Sequence, residues 1–157
     1  MNRTEKRDEN RSVNDGVEQG ANRTTYRVIY GDTDQMGVVY YANYLAFFER
    51  GRCEYMRERG FDYAAFEKSG FGFPVVDVAC RYLQPARFDD LITIETAITG
   101  ASRVTLEFTY RIVRGGDVLA TGHTRHACVT TAGRPARLPA TLKSLLPPEH
   151  QDHLARA

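Results

Sequence analysis

The chain has 157 residues, which is enough for one domain with a buried core. Apolar residues make up 42% and charged residues 26%, and a net charge of +1 excludes a strong field that would attract nucleic acid or membranes. No apolar run approaches a membrane span and the N-terminus has no apolar signal-peptide core, so we expect a cytoplasmic protein without membrane insertion or a nucleic-acid partner.

The first segment, residues 1–23, is polar and carries balanced charge. Such a segment buries too little apolar surface to offset the entropy of ordering it, so we predict a disordered tail. The domain is predicted to cover residues 24–146, and a second polar tail to cover residues 147–157. The β-branched and aromatic residues from Thr25 to Tyr30 predict a first strand.

A long helix is predicted over residues 43–59, after a loop over residues 31–42. Its apolar positions recur with helical spacing, and Gly60 follows where a terminating glycine is expected. Asn43 is predicted to cap the start of the helix. The apolar stripe consists of Tyr44, Phe48, Gly51 and Tyr55, with Leu45 and Met56 beside it. Because glycine is unfavourable inside a helix, Gly51 predicts that something packs very closely there.

After a turn and short helix over residues 61–69, the pattern changes to strands, over residues 73–82, 91–99, 105–113 and 118–130. Leucines from Leu138 to Leu146, followed by two prolines, predict a last short helix. Strands that follow a single long helix indicate an α+β fold, in which the helix covers one face of an antiparallel sheet.

The cysteines Cys53, Cys80 and Cys128 are far apart in the sequence and form no CxxC pair. This excludes a disulfide framework or zinc site of the usual spacing and predicts buried free thiols. His123 and His126 lie three apart on one predicted strand, so they face opposite sides and cannot share a metal. We expect no cofactor and no metal.

The loop before the long helix carries the most informative residues. Asp32 and Asp34 follow an apolar run, and Gly37 lies three residues after Asp34. This arrangement can hold a carboxylate beside the free N–H groups of a helix N-terminus, and acyl transfer needs both a nucleophile or base and such donors. By residue type alone, an aspartate that only forms a turn is the favoured interpretation of Asp34.

The segment from Tyr30 to Phe48 resembles the signature of the 4-hydroxybenzoyl-CoA thioesterase-like family of hotdog-fold acyl-CoA thioesterases, which includes Tol–Pal-associated relatives. The resemblance rests on the pattern Asp32-x-Asp34-x-x-Gly37-Val38-Val39-x-x-x-Asn43-Tyr44. It continues through residues 85–96 and covers about residues 24–140. The N-terminal segment is not part of it.

The resemblance implies a hotdog fold, with an antiparallel sheet of five to six strands wrapped around a long central helix. It also implies acyl-CoA as substrate and self-association. Two subunits would pair edge to edge with the active sites at their interface, and tetramers are common in such proteins.

The resemblance also implies roles for individual residues. Asp34 would be the catalytic carboxylate, as nucleophile or general base, and the backbone N–H of Tyr41 would polarise the thioester carbonyl. Asp32 would shape the turn. Many Tol–Pal-associated relatives carry His where this chain has Tyr41, so an imidazole contribution is absent here. Substrate contacts are implied at Gly37, Val38, Val39 and Tyr40, and contacts near the CoA phosphates at Ser102 and Arg103.

Two other functions stay open at this point. The chain could be a non-catalytic module that binds acyl-CoA, which tight binding without turnover would reveal. It could also be a hydratase or dehydratase acting on acyl thioesters. That chemistry pairs a histidine with a carboxylate, and no histidine stands in or near the predicted helix.

Overall fold

The computed structural model describes residues 20–155 and shows an α+β fold built on one main sheet. The strands are β1 (Asn22–Arg27), β2 (Phe71–Gly72), β3 (Val75–Tyr82), β4 (Leu91–Ala101), β5 (Thr105–Arg114), β6 (Asp117–Ala127) and β7 (Val129–Thr130). The helices are α1 (Asn43–Glu58), α2 (Tyr63–Lys68) and α3 (Asp152–Ala155), with 3-10 turns at Tyr30–Asp32, Ala140–Leu145 and Pro148–His150. Within these residues no helix is long and apolar enough to cross a membrane.

The main sheet has five antiparallel strands in the order β1-β4-β5-β6-β3, and β2 pairs with β7 in a separate two-stranded ribbon. The helix α1 lies against β4, β1 and β5. This is the sheet wrapped around a central helix that the resemblance implied, so that prediction is confirmed. The strands β1 and β3 form the two open edges of the sheet.

The core lies between α1 and the inner face of the sheet. Six residues of α1 are buried, and the inner residues of β4 and β5 meet them. The buried residues of α1 are Tyr44, Phe47, Phe48, Gly51, Tyr55 and Met56. Leu45, which was predicted beside the stripe, is 41% exposed, because it lies on the side of α1 that faces away from the sheet.

Gly51 confirms the predicted close approach of α1 to β4. A Cβ atom at this position would lie 2.7 Å from Cγ2 of Ile94 and closer still to Oγ1 of Thr96. The absence of a side chain at Gly51 therefore fixes how deeply α1 sits on the sheet.

Gly60 follows the end of α1 and has a φ of +70°, as expected for a residue that ends a helix in the left-handed region.

Gly51→Ala is expected to lower the free energy of unfolding by about 1–3 kcal/mol, because overpacking at this contact exceeds the gain in helix propensity. Urea denaturation followed by circular dichroism measures this change. Gly116→Ala is the matched control, since a Cβ there meets nothing within 4 Å. A Gly51 variant as stable as the control would show that the close packing of α1 is not required.

Several element boundaries differ from the prediction. The strand β1 begins at Asn22, inside the segment predicted as a tail, because Arg23 pairs with the buried carboxylate of Glu95 across the ladder at 3.0 Å. The other residues of that predicted tail up to residue 19 lie outside the described residues. The predicted last strand is broken at Cys128, which separates β6 from β7 and is buried in the core.

The C-terminal leucines pack as predicted but in a tighter 3-10 helix rather than an α-helix. Leu142 and Leu145 are buried, and the phenol of Tyr55 on α1 donates to the Leu145 carbonyl at 3.0 Å. Beyond Pro147 the chain continues into short helical turns, and Leu154 packs against the core.

Candidate active site

The loop between β1 and α1 folds into a tight hairpin that carries Asp34. Thr33 and Val39 form an isolated antiparallel bridge, and the Asp34 N–H donates to the Val38 carbonyl at 2.9 Å. The turn is closed by Gly37, whose N–H donates to the Asp34 carbonyl at 3.0 Å and whose φ is +74°. A left-handed conformation favours glycine, which explains this residue at the turn.

The carboxylate of Asp34 is half-buried at the base of this hairpin. Its Oδ1 accepts a hydrogen bond from the Met36 N–H at 2.9 Å, the Asx-turn expected of a turn-forming aspartate. Among the described residues, no other group donates to this carboxylate. Asp34 therefore shapes the turn while its second oxygen stays open to a ligand.

Asp32, by contrast, is fully engaged in holding the loop together. Its Oδ2 accepts from the Tyr26 phenol at 2.8 Å and from the Ile29 N–H at 2.9 Å. Its carbonyl accepts from the Tyr40 N–H and from Nδ2 of Asn43, both at 2.8 Å. These contacts join β1, the loop and the start of α1, and they are those of a structural residue.

The predicted role of Asn43 as the helix cap is wrong. Asn43 is the first residue of α1, Ala42 occupies the cap position, and no side chain caps the helix. The side-chain amide of Asn43 donates instead to the Asp32 carbonyl, which lies beside it in the folded loop.

The N-terminus of α1 therefore presents open donors. The Tyr40 carbonyl accepts from the Asn43 N–H at 2.9 Å, which holds the peptide between Tyr40 and Tyr41 in one orientation. Within residues 20–155, the N–H groups of Tyr41 and Ala42 donate to no acceptor. Open N–H groups at the positive end of a helix dipole are suited to a developing negative charge. The Tyr41 ring is 62% exposed and does not cover them.

The loop between β3 and β4 supports the hairpin from the other side. The Val39 N–H donates to the Ala86 carbonyl at 2.8 Å, and Nη1 of Arg87 donates to the Gly37 carbonyl at 3.3 Å. The side chain of Val39 is buried in the core, so only its backbone lies at the hairpin. Val38 is half-buried and Tyr40 is 44% exposed.

Sequence reasoning did not identify Tyr82, which also reaches this loop. Its phenol donates to the Tyr41 carbonyl at 2.8 Å from the end of β3. The two residues are 41 positions apart, and no local pattern links them.

Ser102 and Arg103 lie far from Asp34 in the chain's own fold. They form the turn between β4 and β5, whereas the Asp34 hairpin lies near the other end of β4. The 11 residues of β4 separate the two ends by about 33 Å. Ser102 Oγ accepts from the Thr105 N–H at 3.0 Å, and Arg103 is exposed. One chain does not bring these predicted contacts together.

A cavity of about 180 Å³ opens between α1 and the inner face of β5 and β6. Aromatic and aliphatic side chains form most of its wall, with a few polar groups among them. The lining residues are Glu49, Arg52, Cys53, Met56, Tyr63, Phe73, Leu106, Phe108 and His126. The cavity lies toward the end of the sheet that carries Ser102 and Arg103, because His126 and Leu106 pair there.

His126 is held as a neutral ring in the wall of this cavity. Its Nδ1 donates to the Phe73 carbonyl at 3.1 Å. In the neutral ring the Nε2 atom is then an acceptor, and it accepts from the Thr124 hydroxyl at 2.8 Å. The Thr124 oxygen accepts in turn from the Tyr110 phenol at 2.7 Å. Burial lowers the pKa of His126. His123 is exposed, and its Nε2 lies 3.0 Å from a carboxylate oxygen of Asp77. The two histidines face opposite sides of the sheet, as predicted.

The comparisons with known proteins agree with this fold. Residues 28–152 match the thioesterase-like superfamily. The acyl-CoA thioester hydrolase YbgC of Escherichia coli O6:H1 is 42% identical over 97 residues, which cover 62% of this chain and 72% of that protein. The acyl-CoA thioesterase YbgC of Haemophilus influenzae is 37% identical over 120 residues, which cover 75% and 88%.

Solved structures give the same result. The DHNA-CoA thioesterase from Staphylococcus aureus superposes with a TM-score of 0.73 at 32% identity, over 75% of this chain and 80% of that one. The family match over residues 28–152 includes the Asp34 hairpin, α1 and four of the five strands of the main sheet, all but β1. The chain therefore belongs to the thioesterase-like superfamily.

Proposed function

We propose that this protein is an acyl-CoA thioesterase that hydrolyses an acyl-CoA to a free carboxylic acid and CoA. The observation that carries the proposal is that one loop, between β1 and α1, presents both an open carboxylate oxygen at Asp34 and an open N–H at Tyr41. The names of the YbgC relatives support the same activity.

In the proposed reaction, the thioester oxygen lies against the Tyr41 N–H, which stabilises the negative charge that develops as the carbonyl is attacked. Asp34 either attacks the carbonyl carbon directly, which forms a mixed anhydride, or removes a proton from a water that attacks. Both routes consume one water and release the CoA thiol. An uncapped helix N-terminus supplies the donor without any ionisable side chain at residue 41.

We propose further that the active unit is a dimer formed through β3. This edge strand exposes an apolar row, in which Val75, Val76, Val78 and Tyr82 are 44%, 55%, 43% and 46% exposed. An exposed apolar edge strand can pair with a further strand. When a two-fold axis relates two copies, it pairs the same strand of each copy in antiparallel orientation. The opposite edge, β1, carries Arg23 and Arg27 instead, which protect an edge from pairing.

Antiparallel pairing of β3 explains how the separated predicted contacts can meet. At one end of β3 lies Tyr82, whose phenol contacts Tyr41 in the loop before α1. At the other end lies Val75, which pairs with His126 on β6. Pairing places the Tyr82 end of one copy beside the Val75 end of the other. The cavity and the turn with Ser102 and Arg103 of one copy then lie toward the hairpin of its partner.

The cavity between α1, β5 and β6 is the proposed site of the acyl group. A dry cavity of about 150 Å³ is known to hold a benzene ring, so about 180 Å³ suits an aromatic ring or a short chain. The walls at Phe73 and Phe108 are suited to an aromatic or aliphatic acyl group, and a long chain exceeds the volume.

A panel of acyl-CoA substrates tests the proposal through release of the CoA thiol. We expect turnover of short-chain and aromatic acyl-CoA, with at least about tenfold lower kcat/KM for palmitoyl-CoA, because the long chain cannot be buried. Tight acyl-CoA binding without thiol release by any substrate would instead favour a non-catalytic binding module. Preference for palmitoyl-CoA would contradict the proposed acyl site.

A further inference from the structure

We infer that Tyr82 is a positioning residue that holds the backbone donating to the thioester oxygen; this inference rests on the proposed thioesterase function. Tyr82 lies at the end of β3, and its phenol donates to the Tyr41 carbonyl at 2.8 Å. It thereby joins the open edge strand to the loop that begins α1.

The carbonyl of Tyr41 needs such a partner because the first turn of α1 does not supply one. The Leu45 N–H, which would bond to Tyr41 in a regular α-helix, donates to the Ala42 carbonyl at 3.2 Å. The peptide on the other side of Tyr41 is held by the bond from the Asn43 N–H to the Tyr40 carbonyl. With Tyr82 in place, both peptide units that flank the Tyr41 Cα atom are anchored.

Anchoring both peptides matters because a donor helps catalysis only when it already points to the developing charge. If the Tyr41 carbonyl lost its partner, the peptide between Tyr41 and Ala42 could rotate and would move the Ala42 N–H. The Tyr41 N–H would then be held only by the bond from the Asn43 N–H to the Tyr40 carbonyl, and its orientation would be less fixed. A donor to the Tyr41 carbonyl also polarises the peptide whose N–H belongs to Ala42, the second open donor.

The surroundings of Tyr82 keep it suited to this role. Its ring packs edge-on against Tyr44 of α1, with 5.0 Å between ring centroids. Burial, and then its contact with Cys80, raises the pKa of the Tyr82 phenol to about 12, so the group stays a donor well above neutral pH. The ring fixes the position of the hydroxyl, and the hydroxyl fixes the Tyr41 peptide.

Tyr82→Phe tests the inference, because it removes the hydroxyl and keeps the ring. We expect kcat to fall about three- to tenfold, as for the loss of one neutral hydrogen bond that acts in the transition state, while KM changes less than about twofold. The matched control is Tyr55→Phe, which also removes a phenol that donates to a backbone carbonyl. The Tyr55 phenol donates to the Leu145 carbonyl at 3.0 Å, and this bond lies away from the loop before α1.

The melting temperature and mass of both variants are measured beside the kinetics. A fall in kcat for Tyr82→Phe alone, in a folded protein of wild-type mass, supports the inference. A kcat within about twofold of wild type, or an equal fall in the Tyr55 variant, overturns it. If the wild type is active on the panel, either result leaves the proposed function standing, whereas a wild type without thioesterase activity overturns both.

Discussion

Asp34→Asn is expected to lower kcat by about 10²- to 10⁴-fold, the range that a general base or nucleophile supplies. Asparagine is almost the same size and keeps an oxygen to accept the Met36 N–H, so the hairpin is retained. It removes the negative charge that either attacks the carbonyl or takes the proton from water. The loss is measured as thiol release from the best substrate of the panel.

The matched control is Asp62→Asn. The Asp62 carboxylate also accepts a hydrogen bond from a backbone N–H, the N–H of Ala65, at 3.0 Å. Asparagine at this position preserves the N-cap of α2. We expect wild-type kinetics from the control. If Asp34→Asn kept most of its activity, the proposed mechanism would be wrong. In wild type, an acyl group found by rapid quench and mass spectrometry on the peptide with Asp34 would identify direct attack rather than general-base catalysis.

Val78→Lys is expected to give a monomer without thioesterase activity. Val78 lies at the centre of β3, so a two-fold axis there brings the residue of one copy close to that of the other. Two lysines facing each other oppose the pairing, and a charged edge is how proteins prevent strand addition. Light scattering should show the mass of one chain, 17.7 kDa.

Thr25→Lys places the same charge on the other edge strand, β1, and is expected to leave mass and activity unchanged. Circular dichroism checks that both variants fold. A dimer that survived Val78→Lys would move the interface away from β3. A monomer with full activity would contradict a site shared between two copies.

Much of the fold could be predicted because each element carries its own periodic signal. The stripe from Tyr44 to Tyr55 located α1, and the glycine within it indicated the contact with Ile94. The strand predicted over residues 91–99 is β4. These signals are local, so one sequence is enough to detect them.

The features that were missed depend on residues distant in the chain. Asn43 was predicted to cap α1 because its residue type favours that role, but the Asp32 carbonyl competes for its amide in the folded loop. The start of β1 was misplaced because Arg23 is ordered by Glu95, which lies on another strand. Likewise Tyr82 reaches Tyr41 only through the sheet.

The candidate site likewise has one part that a single sequence segment predicts and another part that depends on residues distant in the chain. The hairpin around Asp34 is contained in one segment, and its motif identified it. The position of Ser102 relative to Asp34 depends on the sheet order and, in the proposed dimer, on the second copy, and no spacing in the sequence encodes either of them.

The helix α1 covers only part of the sheet, and this has a consequence for how the protein can change over evolution. Ile94 on β4 is fully buried, whereas Val78 on the same inner face is 43% exposed. Substitutions under α1 change the packing on which folding depends. Substitutions on the uncovered inner face of β3 leave that packing intact, whereas the cavity shares Met56, Leu106 and Phe108 with it. Changes in how the two copies of the proposed dimer pair can therefore arise on β3 at little risk to the fold of one chain, while the Asp34 hairpin and the start of α1 stay the same.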